Sequence, residues 1–109
     1  MQTTVQIKTP AFEGSFTCTI EWQEWSAFVK TLHGLRSAIG EEAEASWGNM
    51  EDNIEFQFKL HKLGTLEGQY KFSPENLSLG PVLSGTFEAD QTYLEDWVQS
   101  AQQVLNGAR

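Results

Sequence analysis

The sequence has a single cysteine, Cys18, and only two histidines, His33 and His61. One cysteine cannot form an internal disulfide, and so few ligands without CxxC or HExxH spacing argue against a zinc or iron site. We therefore expect no metal and no cofactor. Cys18 alternates with Phe16 and Ile20, so we interpret it as a small buried hydrophobe and not as a nucleophile. The two histidines are interpreted as surface or boundary residues.

Basic residues are also scarce. Seven Lys and Arg stand against fifteen Asp and Glu, which gives a formal net charge of -8. A nucleic-acid-binding protein needs a basic patch to neutralise phosphates, so we expect no nucleic-acid partner. The negative charge either serves solubility alone or attracts a basic protein partner.

Long apolar runs and nucleotide-binding loops are missing as well. No stretch approaches the roughly 20 apolar residues of a membrane span, and the N-terminus lacks the features of a signal peptide. We therefore expect no membrane association and a cytoplasmic location. The glycines Gly64, Gly68, Gly80 and Gly85 occur singly, without a P-loop or GxGxxG pattern. With 109 residues and no repeat or linker, the chain is expected to form one domain over residues 1–109.

In the first half of the chain, the spacing of apolar residues changes from the strand pattern to the helix pattern and back. Residues 3–8 and 14–22 alternate apolar and polar side chains, which predicts two strands with a turn at Glu13–Gly14. Apolar residues then recur at steps of three and four, which predicts a helix over about residues 23–39 that ends at Gly40. Alternation returns over residues 43–47, and the polar segment 48–53 is expected to form a turn.

A hairpin over residues 54–72 is the best-specified element. Two alternating segments flank Lys62-Leu63-Gly64, and Gly64 provides the left-handed residue that a three-residue hairpin loop requires. The register that follows places opposite charges across from each other on the polar face. It pairs Lys59 with Glu67, Glu55 with Lys71, Phe56 with Tyr70, and Phe58 with Gly68.

The remaining residues complete an α+β pattern. Ser73-Pro74-Glu75-Asn76 has turn chemistry, and residues 77–88 predict a last strand that is bulged or at an edge near Gly80–Pro81. A second amphipathic helix begins at Asp90 with the capping sequence Thr92-x-x-Glu95. The order ββ-α-ββββ-α predicts an antiparallel sheet of about six strands with two helices on its apolar face. The predicted core contains Phe28, Leu32, Phe56, Phe58, Tyr70, Phe87, Leu94 and Trp97.

Five acidic residues form the candidate partner-binding set: Glu41, Glu42, Glu44, Glu51 and Asp52. A catalytic acid–base pair needs a cleft that separates the two pKa values, whereas these residues lie at a helix end and a turn that water reaches. We therefore predict no catalytic site. If the helix end and the turn lie close together, the five carboxylates form one acidic rim that would suit a basic protein.

Three segments carry a resemblance to a known family: residues 16–22 running into the first helix, the hairpin strands, and residues 83–94. They resemble a family of small bacterial proteins that includes the WapI-type immunity proteins. The similarity spans roughly residues 12–105 and is most specific from Gly85 to Leu94. The resemblance implies an antitoxin-like role against a bacterial toxin. It transfers no binding residue, because no binding motif is matched.

We hypothesise a non-catalytic protein-binding domain, an immunity protein that neutralises a cognate toxin, with a basic toxin domain as one candidate partner. A second hypothesis is a structural or housekeeping interaction protein. A third is a carrier of a small apolar ligand held between the sheet and the helices. A toxin gene beside this one would distinguish the first two hypotheses, and an unfilled apolar pocket would favour the third.

Overall fold

A computed structural model describes residues 2–8, 13–74, 80 and 82–107. In these ranges the chain forms six strands and two helices, in the predicted order ββ-α-ββββ-α. The elements are β1 (Gln2–Lys8), β2 (Glu13–Thr19), α1 (Trp22–Ser37), β3 (Ala43–Gly48), β4 (Ile54–Leu60), β5 (Leu66–Phe72), β6 (Leu83–Ala89) and α2 (Gln91–Gly107).

The strands are divided between two sheets. β1 and β2 form a two-stranded sheet, and β3-β4-β5-β6 form a four-stranded sheet in that order. Every pairing is antiparallel, as predicted. The expected turn at Glu13–Gly14 is wrong, because Glu13 pairs with Lys8 and Gly14 with Ile7 inside the β1–β2 ladder. The connection between these strands therefore falls in residues 9–12, outside the described residues.

The predicted register of the β4–β5 hairpin is confirmed at all four pairs. Gly64 has φ of 98°, the left-handed conformation that the loop requires. The oppositely charged residues of the hairpin lie across from each other in the register, but their side chains do not form ion pairs. Within the described residues Arg36 and Glu95 form an ion pair at 3.1 Å, and His61 Nε2 lies 3.1 Å from the Glu67 carboxylate.

Gly68 is required by the aromatic packing above β5. A Cβ atom at this position would overlap the ring of Phe87, which pairs with Gly68 from β6. The Phe87 ring cannot move away easily, because it lies edge-on against Trp97 and Phe58. Because residue 68 has no side chain, the ring of Phe87 can pack directly on the β5 backbone at that position.

We predict that Gly68→Ala lowers the free energy of unfolding by about 1 to 3 kcal/mol, the usual effect of overpacking. The control is Gly14→Ala, also in a strand, where a Cβ would meet nothing within 4 Å. It should be neutral or slightly stabilising. Urea unfolding of both variants checks the prediction, and equal midpoints would contradict it.

Both helices begin with side-chain caps. Both ends of α1 differ slightly from the prediction. α1 begins at Trp22, which the sequence alternation places in the preceding strand, and ends at Ser37 before a turn that leads to Gly40, where φ is 101°. The Glu21 amide donates to the Glu24 carboxylate at 2.6 Å, which fixes the start of α1. α2 begins at Gln91, directly after the predicted cap. Asp90 Oδ1 accepts hydrogen bonds from the amides of residues 92 and 93, at 2.9 and 3.3 Å.

β6 is shorter than predicted and covers only Leu83–Ala89. It lies at an edge of the four-stranded sheet, as the Gly80–Pro81 sequence indicated. The predicted strand over residues 77–79 and most of the Ser73–Asn76 turn fall outside the described residues.

Both helices pack on the apolar face of the four-stranded sheet, as predicted. Phe58, Leu60 and Leu66 contribute that face to one core cluster with the buried residues of α1 and α2. The β1–β2 sheet packs at the other end of this face, where Phe16 meets Phe72 edge-on. Of the eight predicted core residues, three are buried: Leu32, Phe58 and Leu94. The other five are half-buried: Phe28, Phe56, Tyr70, Phe87 and Trp97.

Candidate functional site

The five predicted partner-binding carboxylates are all exposed, but they form two groups and not one rim. Glu41 and Glu42 lie between α1 and β3, and Glu44 is near the start of β3. Glu51 and Asp52 lie in the β3–β4 turn at the opposite end of that strand. The six residues of β3 span about 20 Å. We call Glu41, Glu42 and Glu44 the α1–β3 acidic group.

The β3–β4 turn has an acidic neighbour, Glu24, that sequence reasoning missed. The Glu24 carboxylate accepts a hydrogen bond from the Met50 amide, which brings the start of α1 to this turn. Burial raises the pKa of the Cys18 thiol, and the charges of Glu51 and Glu24 raise it further. The thiol is therefore held protonated, which agrees with the prediction that it is not a nucleophile. The spacing of Glu21 and Glu24 could have indicated this helix start, but the strand alternation running into Trp22 obscured it.

The other face of the four-stranded sheet is covered by neither the helices nor β1–β2, and we call it the open face. Its side chains form three rows across the strands, because the three registers align them. The charged row is Glu44, Lys59, Glu67 and Glu88. The amide row is Ser46, Gln57, Gln69 and Thr86. The third row is Gly48, Glu55, Lys71 and Ser84. Every residue of these rows is exposed.

Two recesses cross the open face parallel to the rows. The larger recess, about 680 Å³, lies between the charged row and the amide row. Residues Ala45, Phe58, Gly68 and Phe87 form its floor, and the side chains of Ala45, Phe58 and Phe87 lie on the opposite face. A smaller recess of about 350 Å³ separates the amide row from the third row. The open face is thus corrugated and polar.

On the helix side, an apolar groove of about 420 Å³ lies between α1, α2 and the sheet. Five half-buried aromatic residues line most of it: Trp25, Phe28, Phe56, Phe87 and Trp97. Trp25 Nε1 donates to the carbonyl oxygen of Ala101 at 3.0 Å, so its polar atom is already satisfied. The sequence pattern predicted that all of these aromatics except Trp25 would fill the core. They instead leave space because α2 packs mainly on α1 and contacts the sheet mostly near β6.

Polar contacts also join the two helices, through residues that do not line this groove. Arg36 Nη1 donates to Glu95 at 3.1 Å, and Arg36 Nη2 lies 2.9 Å from His33 Nδ1. His33 Nε2 lies 3.2 Å from the Gln102 side chain. His33 therefore has a structural position between the two helices, and His61 contacts Glu67 at the β4–β5 loop. Both agree with the prediction of boundary histidines.

In the part of the chain that the structure describes, no three His, Cys, Asp or Glu side chains are grouped as metal ligands would be. No helix within residues 2–8, 13–74, 80 and 82–107 is long and apolar enough to cross a bilayer.

Comparison with known proteins identifies a family. Residues 1–107 match the family described as "Immunity protein WapI-like family", which covers nearly the whole chain. No curated protein and no solved structure matches.

Proposed function

The chain belongs to the WapI-like immunity protein family, and on that basis we propose that it is a non-catalytic immunity protein that binds and neutralises a cognate bacterial toxin. The observation that carries this proposal is the family match over residues 1–107. The net charge of -8 supports a toxin domain with a basic surface as the partner.

The direct test is protection of cells from a toxin. The domain encoded beside this gene is expressed from an inducible promoter, alone and together with this chain. We expect growth arrest in the first case and growth in the second. If the adjacent domain is toxic and this chain gives no protection, that domain is not its toxin. If it is not toxic at all, the test does not support the immunity function, and the two other hypotheses, an interaction protein and a carrier, are tested next.

The α1–β3 acidic group is the part of the predicted set that we propose faces the partner. Glu44 belongs to the charged row of the open face, and Glu41 and Glu42 precede it directly in the chain, before β3. Of the five carboxylates, Glu44 is the one that lines the larger recess, and Glu51 and Asp52 lie at the opposite end of β3. The two groups therefore allow a comparison of equal charge changes at two locations.

We predict that Glu41→Lys/Glu42→Lys slows association with the toxin domain about tenfold at low salt, because exposed charges steer encounter. Glu51→Lys/Asp52→Lys, with the same charge change, should slow association much less. The difference should shrink as ionic strength rises, since salt screens charges beyond roughly 8 Å at physiological concentration. Stopped-flow association rates measure this. Equal rates for both double variants would mean that net charge alone matters.

A second candidate function is supported by the apolar groove. Its volume of about 420 Å³ lies within the usual range of small-molecule sites, and its lining is almost entirely carbon. A neutral apolar ligand would lose few hydrogen bonds to water on entering it. The groove therefore favours a carrier of a small apolar molecule over a structural or housekeeping interaction protein.

We predict that a carrier would bind the neutral dye Nile red saturably, with one dye per chain and a blue-shifted emission. Val104→Asp, at the lip of the groove, should weaken this binding at least tenfold, because it places a charge beside the dye. The control is Met50→Asp, since Met50 is 85% exposed in the β3–β4 turn, away from the groove. Non-saturable fluorescence, or equal binding by both variants, would exclude the carrier function.

A further inference from the structure

The larger recess of the open face has two chemically different walls. The charged row forms one wall and the amide row forms the other. It crosses four strands, and three inter-strand spacings of about 4.8 Å make its length roughly 14 Å. An extended peptide advances about 3.3 Å per residue, so about four residues would fit along it. We call this recess the trough.

The charged wall contains three glutamates and one lysine, so its net charge is negative. Glu67 and Glu88 lie directly opposite each other on β5 and β6, a like-charge cross-strand pair that lowers stability. Within the described residues, Glu67 contacts His61, and Glu88 forms no ion pair. Because β6 is an edge strand, none of the strands that the structure describes lies beyond it to place a cation beside Glu88. A local feature that opposes folding is expected where a surface serves binding.

The opposite wall can hydrogen-bond but carries no charge. Gln57 and Gln69 face each other across β4 and β5, with Ser46 and Thr86 at the ends of the row. Each amide side chain both donates and accepts, which matches the alternating N–H and C=O groups of a polypeptide backbone. An apolar segment would leave these groups without partners, and an acidic one would meet the carboxylates.

We propose that the trough is the surface that receives the protein partner, and that it takes an extended segment of that partner carrying arginine or lysine side chains. The basic side chains lie against Glu44, Glu67 and Glu88, and the backbone of the segment hydrogen-bonds to the amide row. The inference deepens the proposed function, on which it rests only for the identity of the partner. Charge complementarity with the uncompensated wall selects a basic occupant.

The test uses a defined peptide and does not require the toxin. A blocked hexapeptide of alternating Arg and Thr is titrated at millimolar concentration into ¹⁵N-labelled protein, with the Glu and Thr hexapeptide as control. We expect amide shifts to concentrate at residues 44–46, 57–59, 67–69 and 86–88 with the basic peptide only. Shifts concentrated at Glu51 and Asp52, shifts spread over all acidic residues, or no shifts would overturn the proposal.

Two substitutions separate a binding role from a structural one. Glu88→Lys removes the like-charge pair, so it should raise Tm by about 1 to 4 °C while it weakens peptide binding at least tenfold. The control Glu51→Lys makes the same charge change away from the trough and should bind the peptide within about twofold of wild type. Thr86→Trp fills the trough without changing charge and should also weaken binding.

The same variants are then measured against the adjacent domain, where that domain proves toxic to cells. If wild type protects cells and Glu88→Lys and Thr86→Trp bind the toxin as tightly as wild type, the trough is not the interface, although the immunity function stands. If wild type gives no protection, that domain is not its toxin, and the peptide titration alone decides whether the trough is a binding surface. Loss of binding by Thr86→Trp with unchanged folding supports the proposal independently of charge.

Discussion

Replacing Leu94 with Ala is expected to lower the free energy of unfolding by about 3 to 5 kcal/mol. The Leu94 side chain is 0% exposed and packs with the α1 residues Val29, Leu32 and Leu35 in the main core cluster. Leu94 does not line the apolar groove, so its truncation leaves a cavity in the core instead of enlarging an existing opening. The expected result is a large fall in the urea midpoint measured by circular dichroism.

Trp97→Ala provides the comparison, and its effect should be smaller, about 1 to 3 kcal/mol. The sequence pattern placed Trp97 and Phe56 in the core, where truncation of a fully buried aromatic costs about 3 to 5 kcal/mol. The structure places both on the wall of the apolar groove, half-buried, where truncation enlarges an existing opening. If Trp97→Ala is more destabilising than Leu94→Ala, the groove is closed in solution.

The β4–β5 hairpin shows how much the sequence alone could predict. Its loop contains a glycine where a positive φ is needed, and the charge pairs and the Phe58–Gly68 pair all require the same register. Several local constraints therefore agree, and none depends on distant parts of the chain. The same reasoning predicted the α2 cap at Asp90, which depends on hydrogen bonds within two or three residues.

The features that were missed depend on contacts between distant elements. The periodicity of α2 identifies its apolar face but not whether that face meets α1 or the sheet, and this choice leaves the groove open. The expectation of a single acidic rim was wrong for a similar reason. Glu44 and Glu51 are only seven positions apart in sequence, but β3 is extended and separates them.

The trough could not be predicted for the same reason. Its charged wall needs three registers to bring Glu44, Lys59, Glu67 and Glu88 into one row. Only the β4–β5 register was determined by local sequence. The β3–β4 and β5–β6 registers depend on longer connections, whose turn residues do not specify one pairing.

Asn49 illustrates a turn residue whose role depends on burial. The polar segment 48–53 was predicted to be a turn, yet Asn49 and Asn53 are only 3% and 5% exposed. Asn49 Oδ1 accepts hydrogen bonds from the amides of Asn53 and Ile54 at 2.8 and 2.9 Å. Asn49 Nδ2 approaches the carbonyl oxygen of Thr19 at 3.4 Å, and Asn53 Nδ2 donates to the Ser73 carbonyl at 2.9 Å. The two side chains thus connect the ends of β2, β4 and β5.

We therefore predict that Asn49→Ala lowers the free energy of unfolding by about 2 to 5 kcal/mol. Two buried backbone amides would lose their acceptor, and each unsatisfied group costs about 1 to 3 kcal/mol. Asn106→Ala is the control, because Asn106 is an exposed asparagine near the end of α2 and its loss should change stability by less than about 0.5 kcal/mol. Urea unfolding gives the comparison, and hydrogen exchange at Asn53 and Ile54 should accelerate in the Asn49 variant. A midpoint equal to that of the control, with unchanged exchange at both amides, would show that water replaces the side-chain oxygen and that the turn is open to solvent.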